Sequence, residues 1–319
     1  MIVDLFDGRA FVGVHDISLD GAVIASVVPA SGTPVGVLLP GFIDAHVHLG
    51  FCSPASVLAA GVTTARDLGW PLARSLDGGP DVVRAGQILT PAGGYPSRAA
   101  WAPTGTAREI ASVDEIAPAV AEQPGEWIKI AQDARGPVFD ATLLSSLCSA
   151  ARAAGKRVTS HCTSLAQLVA GLDAGVTEFA HGLWSDQPIP SPVVERLVAR
   201  GVVIVPTLHI DPYPTRLDNV GRFFRAGGTV VYGTDMGNPP ARAGIDADEI
   251  ALMVDAGMSL PDALAAATSV AARHLGLGRR GVVEPGARAD LVLLASDPRS
   301  DVRALEDVVG VWKAGARAV

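Results

Sequence analysis

Short β-branched, apolar runs alternate with longer Ala- and Leu-rich segments from Gly41 to about Gly278. Apolar runs of roughly four to eight residues bounded by turn residues are typical of buried strands, and apolar positions at helical spacing predict helices. The pattern predicts eight strands: Gly41–His48, Val62–Leu68, Gln87–Thr90, Trp127–Ala131, Arg157–His161, Glu178–His181, Val202–Thr207 and Thr229–Thr234. The helices predicted between them include Asp140–Ala154, Ser164–Ala174, Pro192–Arg200 and Pro261–Leu275.

Strict alternation of strand and helix predicts an α/β protein, and eight such units predict a (β/α)8 TIM-type barrel over residues 38–280. A doubly wound open sheet is the competing architecture. It is disfavoured because no glycine-rich dinucleotide fingerprint follows any predicted strand. Ser259 is a plausible N-cap for the last helix, which carries Pro261 in its first turn.

The two ends of the chain have a different pattern. The pattern of residues 1–37 predicts short strands with Asp-Gly turns at Asp7-Gly8 and Asp20-Gly21. The pattern of residues 281–319 also predicts short strands, separated by Pro285-Gly286 and Asp297-Pro298. Neither end is long enough to bury a core of its own. The sequence therefore predicts that both ends pair into one small β-sandwich domain beside the barrel.

Composition excludes several classes of function. The formal net charge is −8 and there is no Lys/Arg cluster, which argues against nucleic acid and anionic membranes as partners. The three cysteines, Cys52, Cys148 and Cys162, have no metal-finger or CxxC spacing and are expected to be reduced thiols. With no signal peptide and no long apolar stretch, the sequence predicts a cytoplasmic protein.

The segment from Pro40 to His48 reads Pro-Gly-Phe-Ile-Asp-Ala-His-Val-His. Residues two apart on a strand point to the same face, so His46 and His48 are expected to converge. Two imidazoles held in this way form half of a metal site. An isolated His-X-His pair is weak evidence, since such histidines are often simply buried, so the rest of the chain has to supply the missing ligands.

Chemistry-bearing residues also stand at the ends of later predicted strands. Lys129 lies in the fourth strand, His161 ends the fifth, His181 ends the sixth and Asp235 follows the eighth. Catalytic residues of a TIM barrel sit at the carboxyl ends of the strands, so these side chains are expected at one rim.

Taken together, the chain resembles the amidohydrolase superfamily of metal-dependent hydrolases. The resemblance rests on the segment 40–48, Gly-Val-Thr-Thr-Ala-Arg-Asp at 61–67, Lys129, His161, His181, Gly-Thr-Asp at 233–235, and the closing β-segment from Gly286 to Leu293. It covers essentially the whole chain and is nearest in motif to the Xaa-Pro dipeptidase (prolidase)-like and imidazolonepropionase-like members.

The resemblance implies a binuclear metal centre. In that arrangement His46, His48 and Asp235 would bind the more buried ion, and His161 and His181 the more exposed one. Lys129, carboxylated by carbon dioxide, would bridge both as a carbamate. The cofactors implied are two divalent ions, zinc first, with manganese, cobalt or iron also compatible with such ligands. A metal-bridging hydroxide would be the nucleophile and Asp235 the proton shuttle.

Weaker candidates for substrate binding lie on loops at the same rim. Tyr95, in Gly93-Gly94-Tyr95-Pro96 after the third strand, could contact the substrate or simply pack. His209 follows the seventh strand, where a contact to the substrate and a structural role in the loop are equal alternatives. Trp70, Trp101 and Trp184 could form an apolar wall.

Charged residues near the rim are assigned less firmly. No cation can be matched to a substrate carboxylate from the sequence alone, and Arg98 and Arg216 are the candidates carried forward. Arg66 and Asp67, which end the second strand, are expected to form a structural ion pair.

The function predicted from these residues is hydrolysis of a C–N bond, amide or peptide-like, in a small molecule. A lactonase, a phosphoesterase or a deaminase on the same scaffold stays open, because a two-metal site can attack carbonyl and phosphoryl centres alike. A non-catalytic scaffold protein is the third alternative, although a scaffold has no need of a complete ligand set. The expected partner is a small-molecule substrate, with no nucleic acid and no membrane, and homo-oligomerisation is left open.

Overall fold

The computed structural model describes residues 1–72, 78–181 and 187–319. Their strands are β1 (Ile2–Phe6), β2 (Phe11–Asp20), β3 (Val23–Pro29), β4 (Val37–Pro40), β5 (Phe42–Val47), β6 (Val62–Asp67), β7 (Asp81–Arg84), β8 (Ile88–Pro91), β9 (Ala107–Ile110), β10 (Trp127–Gln132), β11 (Arg157–Cys162), β12 (Glu178–Ala180), β13 (Val203–Val205), β14 (Thr229–Val230), β15 (Leu291–Leu294), β16 (Val308–Lys313) and β17 (Ala316–Arg317).

Helices fill most of the intervals between these strands. They are α1 (Pro54–Ala59), α2 (Ile116–Glu122), α3 (Ala141–Ala153), α4 (Leu165–Ala174), α5 (Ser191–Ala199), α6 (Pro214–Arg225), α7 (Ala247–Asp255), α8 (Leu260–Ala266) and α9 (Ser269–Leu275). Within the described ranges, no helix is both long and apolar enough to cross a lipid bilayer.

One compact unit comprises Met1–Ala65, Leu76–Val82 and Val231–Val319. It contains a seven-stranded sheet in the order β17-β16-β15-β4-β1-β2-β3, so strands from both ends of the chain share one sheet. Strand β4 joins the two ends, because it pairs in parallel with β1 and antiparallel with β15. The domain boundaries at residues 37/38 and 280/281 stay a prediction from the sequence.

The other unit comprises Arg66–Ser75 and Val83–Val230. Its seven-stranded sheet has the order β14-β13-β12-β11-β10-β8-β9, and every neighbouring pair is parallel. Helices α3, α4, α5 and α6 each connect two successive strands of this sheet. Because all of these strands are parallel, their carboxyl ends lie at the same edge of the sheet. A third sheet has the order β5-β6-β7.

Local sequence signals set the helix starts as expected. The side chain of Asp140 accepts from the backbone N–H of Leu143 at the start of α3, and Ser164 caps α4 in the same way. Ser259 and Asp262 form a capping box at the start of α8.

The single helix predicted over Pro261–Leu275 is wrong, because the chain forms two helices there, α8 and α9. Thr268, between them, has φ −134° and ψ −94°, which is far from helical backbone. Its hydroxyl donates to the carbonyl of Leu264. Threonine side chains compete for backbone groups in this way, and helix periodicity in the sequence does not reveal it.

A buried ion pair ties β6 to β12. Nη2 of Arg66 lies 2.6 Å from Oε1 of Glu178, and both side chains are fully buried. The hydroxyl of Thr159 donates to the same carboxylate oxygen, and the Arg66 guanidinium lies 4.2 Å from the ring centroid of Trp127. Arg66 thus pairs with Glu178, and the ion pair expected between Arg66 and Asp67 stays a prediction.

Candidate metal centre

Two stretches of main chain hold the first group of candidate ligands. His46 lies in β5, His48 follows that strand, and Asp235 lies beyond β14. The backbone N–H of Asp235 donates to the carbonyl of His46, and that of His48 donates to the carbonyl of Met236. This short parallel ladder fixes the three side chains at one level.

The three side chains converge. Oδ1 of Asp235 lies 3.2 Å from Nε2 of His48 and 3.5 Å from Nε2 of His46. Each residue is buried, and one ligand atom from each lies within 4.8 Å of the other two. Two imidazole nitrogens and a carboxylate oxygen match the donor types that zinc and similar divalent ions take. The residues present therefore fit a metal ion.

Three residues that follow strands of the described chain have strained backbone conformations. His181, Thr207 and Asp235 are non-glycine residues with positive φ, at 68°, 45° and 57°. Such conformations persist where the surroundings impose them, and they cluster at functional sites. In Asp235, an amide N–H of Asn238 donates to Oδ1 over 3.1 Å and holds the carboxylate in its orientation.

Asp44 supports the first group from behind. Its carboxylate accepts hydrogen bonds from the backbone N–H groups of His46 and Thr234 and, over 2.6 Å, from the Thr234 hydroxyl. Burial raises the pKa of Asp44 to about 7, although these hydrogen bonds oppose the rise. Asp44 thus links the end of β5 to the segment that carries Asp235.

The second group consists of His161, the penultimate residue of β11, and His181, directly after β12. Their ring centroids are 4.5 Å apart at an interplanar angle of 72°. Nδ1 of His181 lies 3.0 Å from the hydroxyl of Thr207, and Nε2 of His161 lies 3.1 Å from Oδ2 of Asp133. Each ring therefore has a polar partner that fixes its orientation.

Asp133 is a residue that the sequence reasoning missed. It directly follows β10, and Nε and Nη2 of Arg135 donate to its carboxylate. Burial raises the pKa of Asp133, but hydrogen bonds from His161 and Arg135 outweigh it and hold the pKa well below its usual range. The available signal was its position, since Asp133 stands at a strand end like the candidate ligands.

Arg216 was considered as a partner for a substrate carboxylate, but its side chain contacts the backbone of the protein instead. Its side chain is 1% exposed, and Nη2 donates to the carbonyls of His181, Pro206 and Thr207 over 3.0, 3.2 and 3.3 Å. These carbonyls belong to or adjoin two of the strained residues. Arg216 therefore holds the backbone of the strand ends rather than offering its charge to a substrate.

Lys129 lies in the middle of β10 and is 2% exposed. In register it pairs with Thr159 of β11 and Ile88 of β8. A lysine buried at this depth is uncommon without a function or a counter-charge.

Tyr95 lines a cavity of about 540 Å³ together with Arg98, Trp101 and Arg135. The Tyr95 ring centroid lies 5.2 Å from that of His161. Trp70 is only 2% exposed, and His209 lies in the half-buried turn Leu208–Ile210. Trp184 lies outside the described residues. The substrate-binding roles of Tyr95, His209, Trp70 and Trp184 stay predictions.

Comparison with known proteins gives a consistent result. A family model described as "Amidohydrolase family" matches residues 37–318. An uncharacterised protein of Mycobacterium tuberculosis (strain ATCC 25618 / H37Rv) is 29% identical over 88% of this chain and 85% of its own length. Adenine deaminase 2 of Rhizobium meliloti (strain 1021) is 30% identical over 95% of this chain and 54% of its own length.

Among solved structures, a Xaa-Pro dipeptidase with bound methionine in its active site superposes with a TM-score of 0.84 at 20% identity. The match covers 99% of this chain and 98% of that one. A likeness at this identity concerns the fold. The α/β barrel architecture predicted from the sequence is thereby confirmed.

Proposed function

This chain belongs to the amidohydrolase family, a family of hydrolases acting on C–N bonds, and we propose that it hydrolyses an amide or peptide-like bond of a small molecule with a binuclear metal centre. The observation that carries the proposal is the convergence of His46, His48 and Asp235 within 4.8 Å. These side chains come from two distant parts of the sequence, the end of β5 and the segment beyond β14.

In this proposal His46, His48 and Asp235 hold one divalent ion, while His161 and His181 hold the other. Lys129, as a carbamate, contributes to both. Zinc is the first choice, because imidazole and carboxylate are among its usual ligands; manganese, cobalt and iron accept the same donors. When bound, the two ions would supply an activated water and polarise the scissile carbonyl.

The chain's own residues then orient and transfer protons. The Asp235 carboxylate receives the proton of the attacking water at Oδ2 and passes it to the leaving nitrogen. Asn238 keeps this carboxylate in place through its hydrogen bond to Oδ1. The left-handed backbone at Asp235 directs the side chain toward His46 and His48, so the strain has a catalytic purpose.

Asp133 and Arg216 are the positioning residues of the second group. Nε2 of His161 lies within hydrogen-bond distance of Asp133, so Nδ1 would be the nitrogen left to bind a metal ion. Arg216 acts through its hydrogen bonds to the carbonyls of His181 and Thr207.

We also propose that the protein is cytoplasmic, because three free cysteines are typical of a reducing compartment.

Deamination is the second candidate, and one observation favours it. Adenine deaminase 2 is 30% identical over 95% of this chain. Deamination also breaks a C–N bond by addition of water, so the candidate ligands serve either reaction. The two proposals differ in the leaving group, which is ammonia in deamination and an amine in amide hydrolysis.

The test is a substrate panel on protein loaded with zinc or manganese in the presence of bicarbonate. The panel spans dipeptides, N-acyl amino acids, cyclic amides, adenine, lactones and phosphoesters. Asp235→Asn is run alongside, with Asp173→Asn, an exposed carboxylate, as the matched control. Turnover of amides that is lost only in Asp235→Asn supports the proposal. Release of ammonia from adenine alone favours the deaminase, and turnover confined to lactones or phosphoesters contradicts both.

A further inference from the structure

Thr207 lies two residues after β13, and the proposed reaction gives its side chain no role. We propose that Thr207 is a positioning residue for the second metal ion. Its strained backbone aims the hydroxyl at Nδ1 of His181, so that Nε2 of the same ring is the nitrogen that binds the ion. The inference deepens the proposed function and rests on its second ion, the one held by His161 and His181.

The backbone of Thr207 is in the left-handed region, with φ 45° and ψ 48°. Glycine adopts this conformation readily, whereas a β-branched residue does so only where its surroundings impose it. Thr207 is also fully buried, so contact of its side chain with water does not offset the strain. The contacts of the side chain, which a glycine would lack, therefore carry the argument.

The hydroxyl oxygen of Thr207 lies 3.0 Å from Nδ1 of His181. Because Nδ1 is engaged there, Nε2 is the ring nitrogen that can bind an ion. An ion on Nε2 requires the ring proton on Nδ1, and the Thr207 oxygen then accepts the hydrogen bond from that N–H. The contact thus selects both the nitrogen and the tautomer of the imidazole.

The backbone of His181 is held in the same arrangement. Its φ of 68° also lies in the left-handed region, and its N–H donates to the carbonyl of Val205 over 3.0 Å. Nη2 of Arg216 donates to the carbonyl oxygens of both His181 and Thr207, over 3.0 and 3.3 Å. One guanidinium with a side chain 1% exposed therefore fixes the two strained residues relative to each other. The hydroxyl and the imidazole are in place before any ion binds.

The two histidines of the second group have supports of different kinds. Nε2 of His161 lies 3.1 Å from a carboxylate oxygen of Asp133, whereas the support of His181 is a neutral hydroxyl. A neutral acceptor forms a weaker hydrogen bond than a charged one. Loss of the Thr207 hydroxyl should therefore weaken binding of the second ion by about 10-fold, the lower end of the range for such supports, and leave the first ion unaffected.

Three substitutions at Thr207 separate positioning from packing. Thr207→Val keeps the branched shape without the hydroxyl, Thr207→Ser keeps the hydroxyl, and Thr207→Gly removes both the hydroxyl and the backbone strain. The matched control is Thr268→Val, which removes the hydroxyl of another fully buried threonine, one that donates to the carbonyl of Leu264. Competition between the protein and a chromogenic chelator for zinc measures the affinity of each ion. Thermal melting of the metal-free variants checks folding.

We expect the affinity for the second zinc ion to fall about 10-fold in Thr207→Val and Thr207→Gly. Thr207→Ser and Thr268→Val should bind both ions as the wild type does. If Thr207→Val fails to fold, Thr207→Gly decides, because its backbone is not strained at this position.

NMR of the zinc-loaded protein with isotopically labelled histidine gives a readout that packing alone would not move. The proton on Nδ1 of His181 should exchange slowly with water in the wild type and in Thr207→Ser. In Thr207→Val that proton has lost its acceptor, so its signal should broaden beyond detection. His181→Gln assigns the signal by its absence.

Second-ion affinity in Thr207→Val equal to that of the wild type overturns the inference, and so does an equal loss in Thr207→Ser. A wild type that binds a single ion overturns it as well. Weakened second-ion binding in Thr207→Val of a protein that hydrolyses no amide would reject the proposed hydrolysis and support this role of Thr207. Amide hydrolysis with zinc binding unchanged in Thr207→Val would do the reverse.

Discussion

Nε2 of His161 lies 3.1 Å from Oδ2 of Asp133, so a candidate metal ligand is oriented by an acid that the predicted ligand set does not contain. Asp133 is in turn held by Arg135, whose guanidinium lies 4.9 Å from the ring centroid of Tyr95. One side of the second ligand group is therefore a connected set of side chains. Replacing any member should disturb the others.

Asp133→Asn should weaken binding of the second metal ion by roughly 10- to 100-fold, the range typical of carboxylates that support a metal-bound histidine. The amide keeps the shape of the side chain, but it has no negative charge with which to strengthen a hydrogen bond from His161. Competition with a chromogenic chelator measures the affinity, and elemental analysis gives the stoichiometry. Asp173→Asn is the control. An affinity equal to that of the wild type would show that Asp133 only packs.

Asp235→Asn should lower kcat by roughly 100- to 10,000-fold, because an amide cannot take up and deliver the proton. Asn238→Ala removes the hydrogen bond to Oδ1 and should have a much smaller effect. Steady-state kinetics on the best amide substrate of the panel gives both values. Equal losses in the two variants would indicate that orientation, rather than proton transfer, is what Asp235 provides.

Lys129→Met should reduce the metal content from two ions per chain to one, since the carbamate that joins the two ion sites cannot form. Elemental analysis after loading with zinc and bicarbonate checks this. Lys156→Met, at a lysine that donates to the carbonyl of Gln123, is the control. Two ions retained in Lys129→Met would count against a bridging lysine.

Arg216→Met should lower the free energy of unfolding by about 2–4 kcal/mol, because it leaves buried carbonyls at His181, Pro206 and Thr207 without their donor. Urea denaturation measures the change. Arg222→Ala, on the same helix and removing a hydrogen bond to the Ser191 hydroxyl, should cost less than about 1 kcal/mol. Similar losses of unfolding free energy in both variants would show that the hydrogen bonds of Arg216 to the backbone do not stabilise the protein more than the contact of Arg222.

Asp81→Asn should destabilise the protein at neutral pH by on the order of 1 kcal/mol, and less in acid. Asp81 contacts Arg280, Arg288 and Lys313. Burial raises the pKa of Asp81, but hydrogen bonds from Arg280 and Lys313 outweigh it, so the folded pKa lies below the usual value of 3.8.

The stabilisation by Asp81 is therefore present above pH 3.8 and is lost as the pH falls through the folded pKa. The difference in melting temperature between Asp81→Asn and the wild type should be smaller at pH 3 than at neutral pH. A constant difference across this range would exclude an electrostatic origin.

Much of the fold was predictable because buried parallel strands have a simple pattern. All eight predicted strands have counterparts, and the helix starts at Asp140, Ser164 and Ser259 follow from side chains that accept backbone N–H groups. The eighth strand is shorter than predicted, at Thr229–Val230. The break at Thr268 escaped prediction because it depends on a local hydrogen bond that periodicity does not encode.

The convergence of three of the candidate ligands was predictable from the sequence, whereas the residues that contact the second group were not. His46, His48 and Asp235 stand out because metal chemistry limits the choice of ligand, and strand ends place them. Asp133 and Arg216 work through distances between loops, which a linear sequence does not give. The family resemblance is confirmed, whereas the roles of the single residues wait for the measurements above.

The pairing of β4 with both β1 and β15 sets an order of events during synthesis. Strands β1 to β4 leave the ribosome long before β15 does, so one edge of β4 stays open while some 250 residues are made, the separation between Pro40 and Leu291. An open edge can recruit foreign strands. We therefore expect nascent chains halted before β15 to depend on chaperones and to aggregate when released, whereas chains halted after β16 should not.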